Sequence, residues 1–404
     1  MSRQMKDSGI PWIGEIPVQW RIETIGSCIK EVDCKNSDCS ENNALQFKMG
    51  TIISKKNGDS KYNPETLEAY NKVQVGDIVI NGLNLSFDLI SQRVGLVKET
   101  GVITSAYLAV RPLNFIDSRF LTYLFKGYDT CKALHSMGKG LRQTLGYKEF
   151  RRYYVIFPNL EEQQRIADFL DLKCGEIDEL VALQEQIIEE LKAYKQAIIT
   201  ETVCKGLNPD VEMKDSGIEW LGDIPKEWDV RAIKWLATLK SGTNITTNDI
   251  KEECDGFPVY GGNGLRGYYS DFSNDGDFAL IGRQGALCGN INYAHGKFWA
   301  TDHCVVCYPR ENFILTWFGE TLRAMNLNQY SMSSAQPGLS VERIKEKKMP
   351  VPPLSEQQEI ANYLDQKCAE IDSLVAIKQQ KIEELKDYKK SIIYEYITGK
   401  KEVD

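Results

Sequence analysis

A chain of 404 residues, 42% hydrophobic and 26% charged, holds enough apolar material for two or three packed domains and is not broadly disordered. Its net charge of −8 and pI of about 5.3 argue, for the chain as a whole, against a nucleic-acid binder, since such domains usually run basic. No apolar run reaches the roughly 18 residues of a membrane span, and the start MSRQMKDSGIPW lacks a signal-peptide core, so a cytoplasmic protein is expected. Eleven scattered cysteines, an odd count, fit reduced thiols better than a disulfide framework.

In chain order the first feature is MKDSGIPWIGEIPVQW, Met5 to Trp20, which returns as MKDSGIEWLGDIPKEW, Met213 to Trp228, with 11 of 16 positions identical. Its tryptophans, Trp12 and Trp20 with Trp220 and Trp228, are expected to pin this leading segment onto a neighbouring surface. After the first copy come short strand signals, VGDIVI, RVGLVK, AYLAVRP and YYVIFP, and a short helix signal, SRFLTYLF. Next stands a 40-residue segment, Leu160 to Ile199, without proline and rich in Leu, Ile, Glu, Lys and Gln, which predicts a long helix. Beyond the second copy the strand signals DFALIG and HCVVCYP and the helix signal LTWFGETLRAM follow. A second 40-residue segment, Leu354 to Ile393, then matches the first at 26 of 40 positions.

The chain is therefore a tandem duplication of a domain plus a helix, with a period too long for a solenoid. Asn159 with Glu162, and Ser355 with Gln358, form expected capping boxes; Gly206 and Gly399 mark expected helix ends. Steps of three and four predict a coiled-coil seam through Ile166, Leu170, Lys173, Ile177, Leu180, Gln184, Ile187, Leu191, Tyr194 and Ile198. The second helix repeats it through Ile360, Leu364, Lys367, Ile371, Leu374, Lys378, Lys381, Leu385, Tyr388 and Ile392. A lone helix about 60 Å long would expose that stripe, so the two copies are expected to pair antiparallel about a pseudo-two-fold axis. A plain dimerisation coiled coil is the simpler alternative.

The regions between the repeats are similar only in places. GDIVI matches GDFAL at offset 200, TSAYLAVRP matches TDHCVVCYP at 197, and RQTL matches QPGL at 194. One fold that kept its core and lost loop residues would give that steady fall. The expected architecture is α/β: two tandem β-rich domains separated by two long antiparallel coiled-coil helices. The expected boundaries are 1–159, 160–206, 207–353 and 354–404. The acidity is not evenly spread: residues 21–159 carry 19 Lys and Arg against 14 Asp and Glu, and residues 229–353 carry 13 of each. The helical segments and the linkers hold the excess acid, so the two domains remain compatible with DNA.

The paired EEQQRIADFLD and SEQQEIANYLD helices, with FPVYGGNGLRGYY, SAQPGLS, PVPPLSEQQ and the repeated leading phrase, resemble the specificity subunit of type I restriction–modification enzymes. The resemblance covers nearly the whole chain. It implies two target recognition domains, each reading one half of a bipartite double-stranded DNA sequence. The helices would act as a ruler between the halves and dock two methyltransferase subunits, which restriction subunits would join. It also implies no catalysis by this subunit and no cofactor of its own, with S-adenosylmethionine, ATP and Mg on the partners. The alternatives are a DNA-binding adaptor of another defence system that works without methyltransferases, and a nuclease acting alone.

Chemical motifs are scarce. GKGLRQT lacks the spacing of a phosphate loop, and no NPPY-like tetrapeptide marks an amino-methyltransferase. GGNGLRG, Gly261 to Gly267, is expected to be a glycine-rich loop that brings backbone close to a ligand or another chain. Cys304 and Cys307 beside His303 make one CxxC, short of the four ligands of a structural zinc site. Base readout needs Arg or Lys for guanine and Asn or Gln for adenine, with cations for phosphates. The candidate contacts are Lys55, Lys56, Lys61, Arg93, Lys139, Arg142 and Gln143 in the first domain. In the second they are Asn263, Arg266, Tyr268, Arg283, Gln284 and Gln336. Arg142 and Gln336 occupy matching places in the two copies.

Overall fold

A computed structural model describes residues 3–55, 67–85, 92–138, 143–252, 256–285, 287–331 and 338–403. The chain forms two compact units, residues 1–184 with 380–404, and residues 185–379. Each unit thus contains one globular domain and a stretch of both long helices, Leu160–Lys205 and Leu354–Ile397.

Both units repeat one plan. The leading phrase is a hairpin, Met5–Asp7 with Glu15–Pro17 in the first unit and Met213–Asp215 with Asp223–Pro225 in the second. A four-stranded antiparallel sheet follows. In the first unit its order is Ile29–Glu31, Leu108–Pro112, Ile78–Ile80, Val94–Leu96; in the second it is Ala237–Ser241, Cys304–Pro309, Phe278–Gly282, Ile291–Ala294. The central strands bury both faces, as in Ile78–Ile80, so they read as unbroken apolar runs rather than alternating ones. One amphipathic helix packs on each sheet, Ser118–Thr130 and Leu315–Ala324. A last strand, Tyr154–Phe157 or Lys348–Val351, pairs back to Arg21–Thr24 or Asp229–Ala232 and delivers the chain into its long helix.

The copies differ outside that frame. The first unit adds the hairpin Leu45–Lys48 with Thr51–Ser54 and the pair Asn71–Val73 with Gly101–Ile103. The second adds a second four-stranded sheet, in which Phe257–Gly261 runs parallel to Lys297–Ala300 and antiparallel to Gly264–Tyr269.

The long helices pair antiparallel within each unit. Phe169 meets Tyr396 at 4.4 Å between ring centroids, and Lys389 reaches Asp178 at 2.6 Å in the first unit. Lys195 makes the equivalent ion pair with Asp372 at 2.7 Å in the second. The heptad line is buried only in part: Ile166, Leu170 and Ile177, with Ile360, Leu364, Ile371 and Ile392, are buried on it. Leu180 and Tyr194 are 46% and 59% exposed, as are Leu374 at 46% and Tyr388 at 58%. A second line of buried residues, each 11 residues from the last, runs through Ile166, Ile177, Ile188 and Ile199, and through Ile360, Ile371 and Ile382. Eleven residues make three turns of about 3.67 residues, close to a straight helix, whereas a seven-residue repeat drifts off one face without supercoiling. Ile199→Ala is accordingly expected to cost about 2–4 kcal/mol, and Tyr194→Ala less than about 1 kcal/mol. Urea midpoints of the two variants test this, and the reverse order would restore the heptad seam.

The capping boxes are also corrected. Asn159 does cap its helix, accepting the Glu162 amide at 2.9 Å, but the Glu162 carboxylate turns away to the indole N–H of Trp20 at 3.2 Å. The second long helix begins at Leu354, so Ser355 already lies inside it, and Gln357 donates its amide to the Pro353 carbonyl at 2.9 Å. Both stops hold: Gly206 and Gly399 have φ of +75° and +70°.

The repeated phrase is thereby explained. Trp20 and Trp228 are each 1% exposed. Trp228 donates to Glu356 at 2.8 Å, as Trp20 does to Glu162, and both glutamates sit on the first turn of the long helix that leaves the same unit. The end of the other long helix closes the opposite side. A Cβ on Gly206 would stand 3.1 Å from the Trp228 ring, and one on Gly399 would stand 3.0 Å from that of Trp20. The neighbouring glutamines dock the domain helices: Gln163 accepts the amide of Asp117 at 2.8 Å, and Gln357 that of Ile314 at 3.0 Å. The EQQ triplet is thus a joint between domain and helix.

Candidate nucleic-acid interface

In the second unit a glycine-rich turn, Gly262 and Asn263, links Phe257–Gly261 to Gly264–Tyr269. Gly264 has a φ of +97°, which a side chain would resist. The close approach expected of these glycines is met inside the unit: a Cβ on Gly262 would lie 3.0 Å from the carbonyl of Gln284 and 3.3 Å from that of His303. Around this turn the candidates gather. Asn263 is exposed and accepts from Asn290 at 3.4 Å. Gln284 is exposed beside Gly338, to which its backbone bridges. Arg266 is exposed, lies over Gly261, and pairs with no carboxylate among the described residues. Tyr268 is half-buried and bridges by backbone to Lys251. Arg283 is half-buried, and its guanidinium donates to the Leu339 carbonyl at 3.4 Å and the Ser241 hydroxyl at 3.1 Å. It ties three loops together at the rim of this cluster. Gln336 lies outside the described residues.

In the first unit the candidates are less concentrated. Lys55 follows the strand Thr51–Ser54, half-buried, with its amide on the Ala44 carbonyl at 2.9 Å. Gln143 is half-buried at a φ of +43°, and its carbonyl accepts the Leu85 amide at 3.2 Å. Lys56, Lys61, Lys139 and Arg142 lie outside the described residues. Arg93 is a correction. It is 1% exposed, and its guanidinium donates to the carbonyls of Asn81 at 3.0 Å and Leu83 at 2.9 Å. A guanidinium so enclosed positions the loop after Ile78–Ile80 and offers nothing to a phosphate or base.

The matching places found by sequence do have matching anchors. Leu145 donates its amide to the Gly82 carbonyl at 2.9 Å, and Leu339 donates to the Arg283 carbonyl at 2.9 Å. The residue pair Arg142 and Gln336 precedes these anchors by three residues in each copy. Sequence reasoning missed Asn290 and Ser241, which hold Asn263 and Arg283; no local signal marks either.

The CxxC is two core residues. In the strand Cys304–Pro309, Cys304 packs in one apolar cluster with Leu280 and Phe298, and Cys307 in another with Ala279 and Trp317. Residues three apart on a strand face opposite sides, so one ion cannot take both thiols. Burial pushes the Cys304 thiol up to about 12 and Cys307 higher still. Among the described residues no group of three or more His, Cys, Asp and Glu could hold a metal ion, and no helix is long and apolar enough to cross a membrane.

A duplicated sheet-and-helix unit on two paired long helices, with polar loops at the sheet ends, defines a two-part recognition scaffold. The chain belongs to the family of the type I restriction modification DNA specificity domain, whose model matches residues 47–193 and 225–387. It is 42% identical to the type I restriction enzyme EcoprrI specificity subunit of Escherichia coli over 149 residues, 36% of this chain and 37% of that one. The match to the MjaVIII specificity subunit of Methanocaldococcus jannaschii is longer, 22% identical over 95% of this chain and 93% of the relative. A solved chain from work on complex assembly and conformational transition of the type I R-M system superposes with a TM-score of 0.72 at 16% identity, covering 95% of this chain and 99% of that one.

Proposed function

We propose that the chain gives a type I restriction–modification complex its DNA specificity, one unit reading each half of a bipartite target. The observation that carries this reading is the duplication itself: one frame, kept to the level of the Trp–Glu joint and the Leu145 and Leu339 anchors, bears two different sets of loops. A reader of two unlike half-sites needs that combination of constant scaffold and divergent surface. The paired helices set the spacing between the halves and present their exposed faces to two methyltransferase subunits, which restriction subunits then join. The chain itself acts on no bond. S-adenosylmethionine, ATP and Mg belong to the partners, and the complex works on double-stranded DNA in the cytoplasm. Nothing found favours an adaptor that works without methyltransferases.

The test is a methylation map. The chain is expressed with its cognate methyltransferase in a host free of DNA methylation, and native DNA is read for modified bases. The expected result is methylated adenine in a motif of two unlike halves around an unspecified spacer, present only with this chain. Exchanging residues 24–155 for those of another member should change one half alone. Co-purification without any motif would overturn the reading.

A further inference from the structure

The two copies differ at one place where the first supplies its own side chain and the second does not. In the first unit Tyr394, near the end of its long helix, donates its hydroxyl to the carbonyls of Trp12 at 3.2 Å and Ile13 at 3.1 Å. Lys400 donates to the same Ile13 carbonyl at 3.1 Å and to the Tyr394 hydroxyl at 2.7 Å. The two backbone acceptors of the leading segment are closed by donors from the helix end. Below them Glu395 pairs with Lys401 at 2.8 Å.

In the second unit Thr200 stands for Tyr394 at the helices' offset of 194, and the lysine that follows Gly399 is replaced by one that precedes Gly206, Lys205. Trp220 and Leu221 take the places of Trp12 and Ile13. Their carbonyls accept no hydrogen bond from the described residues. Glu201, the counterpart of Glu395, has no ion-pair partner among them either. A cleft of about 580 Å³ opens at this point, lined by Ala193, Ala197, Thr200, Cys204, Trp220 and Leu221, with Glu201 and Lys205 at its edge. It shares Gln196 and Thr200 with a second cleft of about 610 Å³ that runs to Arg323 and Asn328. The two backbone acceptors are kept and the phenol is gone; Asp387, Ser391 and Thr398 of the first unit's helix end are replaced by Ala193, Ala197 and Cys204, so the wall here is more apolar, and Lys205 lines the cleft without bonding either carbonyl.

We propose that this cleft is a socket for a tyrosine side chain with a neighbouring lysine or arginine, both presented by the methyltransferase partner; that choice of partner rests on the function proposed above. The complementarity is read from the first unit, where a phenol and an ammonium of this chain satisfy the same backbone groups. A tyrosine fits the role because it fills a large apolar space at small entropic cost and carries a donor at its tip. Thr200→Tyr restores the first copy's arrangement from within.

Thr200→Tyr should raise the thermal midpoint of the isolated chain and weaken methyltransferase binding about tenfold or more by titration calorimetry, the size expected for losing an interface anchor. Glu201→Gln should weaken binding without the stabilisation. Thr200→Cys, a conservative change, should react with a maleimide in the free chain and be protected in the complex, and this measurement decides the matter if the tyrosine variant does not fold. Normal binding by Thr200→Tyr, or equal labelling of Thr200→Cys with and without partner, would overturn the socket while leaving the proposed function intact. Failure of the unaltered chain to bind its methyltransferase would overturn both.

Discussion

Trp228→Ala is expected to destabilise the second unit by about 3–5 kcal/mol, the range for truncating a buried large aromatic. Trp228 is 1% exposed and touches three elements at once: the leading segment, the Gly206 turn that ends one long helix, and Glu356 on the first turn of the other. Removing the indole empties a cavity among them and takes away the donor held by the Glu356 carboxylate. Glu356→Ala leaves the ring in place but strands its N–H, at a cost of about 1–3 kcal/mol. Trp220→Ala, at a half-buried position of the same hairpin, should cost less than either. Urea unfolding gives the ranking, and hydrogen exchange should show protection lost first in residues 213–353. A change below about 1 kcal/mol for Trp228→Ala would show that the joint does not hold the unit together.

Arg111→Met should cost about 1–3 kcal/mol in the first unit. The Asp77 side chain is wholly buried, and Arg111 holds it with two bonds, Nε to Oδ1 at 2.7 Å and Nη2 to Oδ2 at 2.9 Å. Arg111 is 42% exposed, so its removal leaves the buried Asp77 carboxylate without its charged partner but with water nearby. The Gln74 amide, 2.8 Å from Oδ2, remains but is a weaker partner than a guanidinium. Adding Asp77→Asn to Arg111→Met should recover part of the loss, because the amide oxygen still accepts from Gln74 without carrying a charge. The second copy provides the control. Asp277 stands at the matching place, 67% exposed and 3.0 Å from His295, so Asp277→Asn should change the urea midpoint little. Equal effects at Asp77 and Asp277 would remove the argument from burial.

Much of the scaffold was legible because its signals are local. Composition and length predict the long helices, a central strand is an apolar run between turns, and a glycine past a helix end adopts positive φ wherever the rest of the chain goes. The site was less legible. Arg93 and Arg266 are the same residue type in loops beside strands, yet one is enclosed by its own loop carbonyls and the other lies open over Gly261. Nothing within a few residues of either tells them apart. The CxxC was different, since the parity of a strand already separates Cys304 from Cys307.

The sequence by itself determined the duplication, the antiparallel helix pair, the family and the residues that recur in both halves, because identity at fixed offsets and apolar periodicity need no partner to be visible. Only the tertiary structure decided which periodicity is buried. Leu180 beside Val181, and Ile187 beside Ile188, offer two apolar positions side by side, and what packs against the helix buries the second of each pair more deeply. It likewise decided that Glu162 serves Trp20 rather than its own helix cap, and that Thr200 leaves open what Tyr394 closes. The Glu162–Trp20 and Tyr394–Trp12 contacts join residues more than a hundred positions apart, and the free energy of such a contact belongs to neither segment alone.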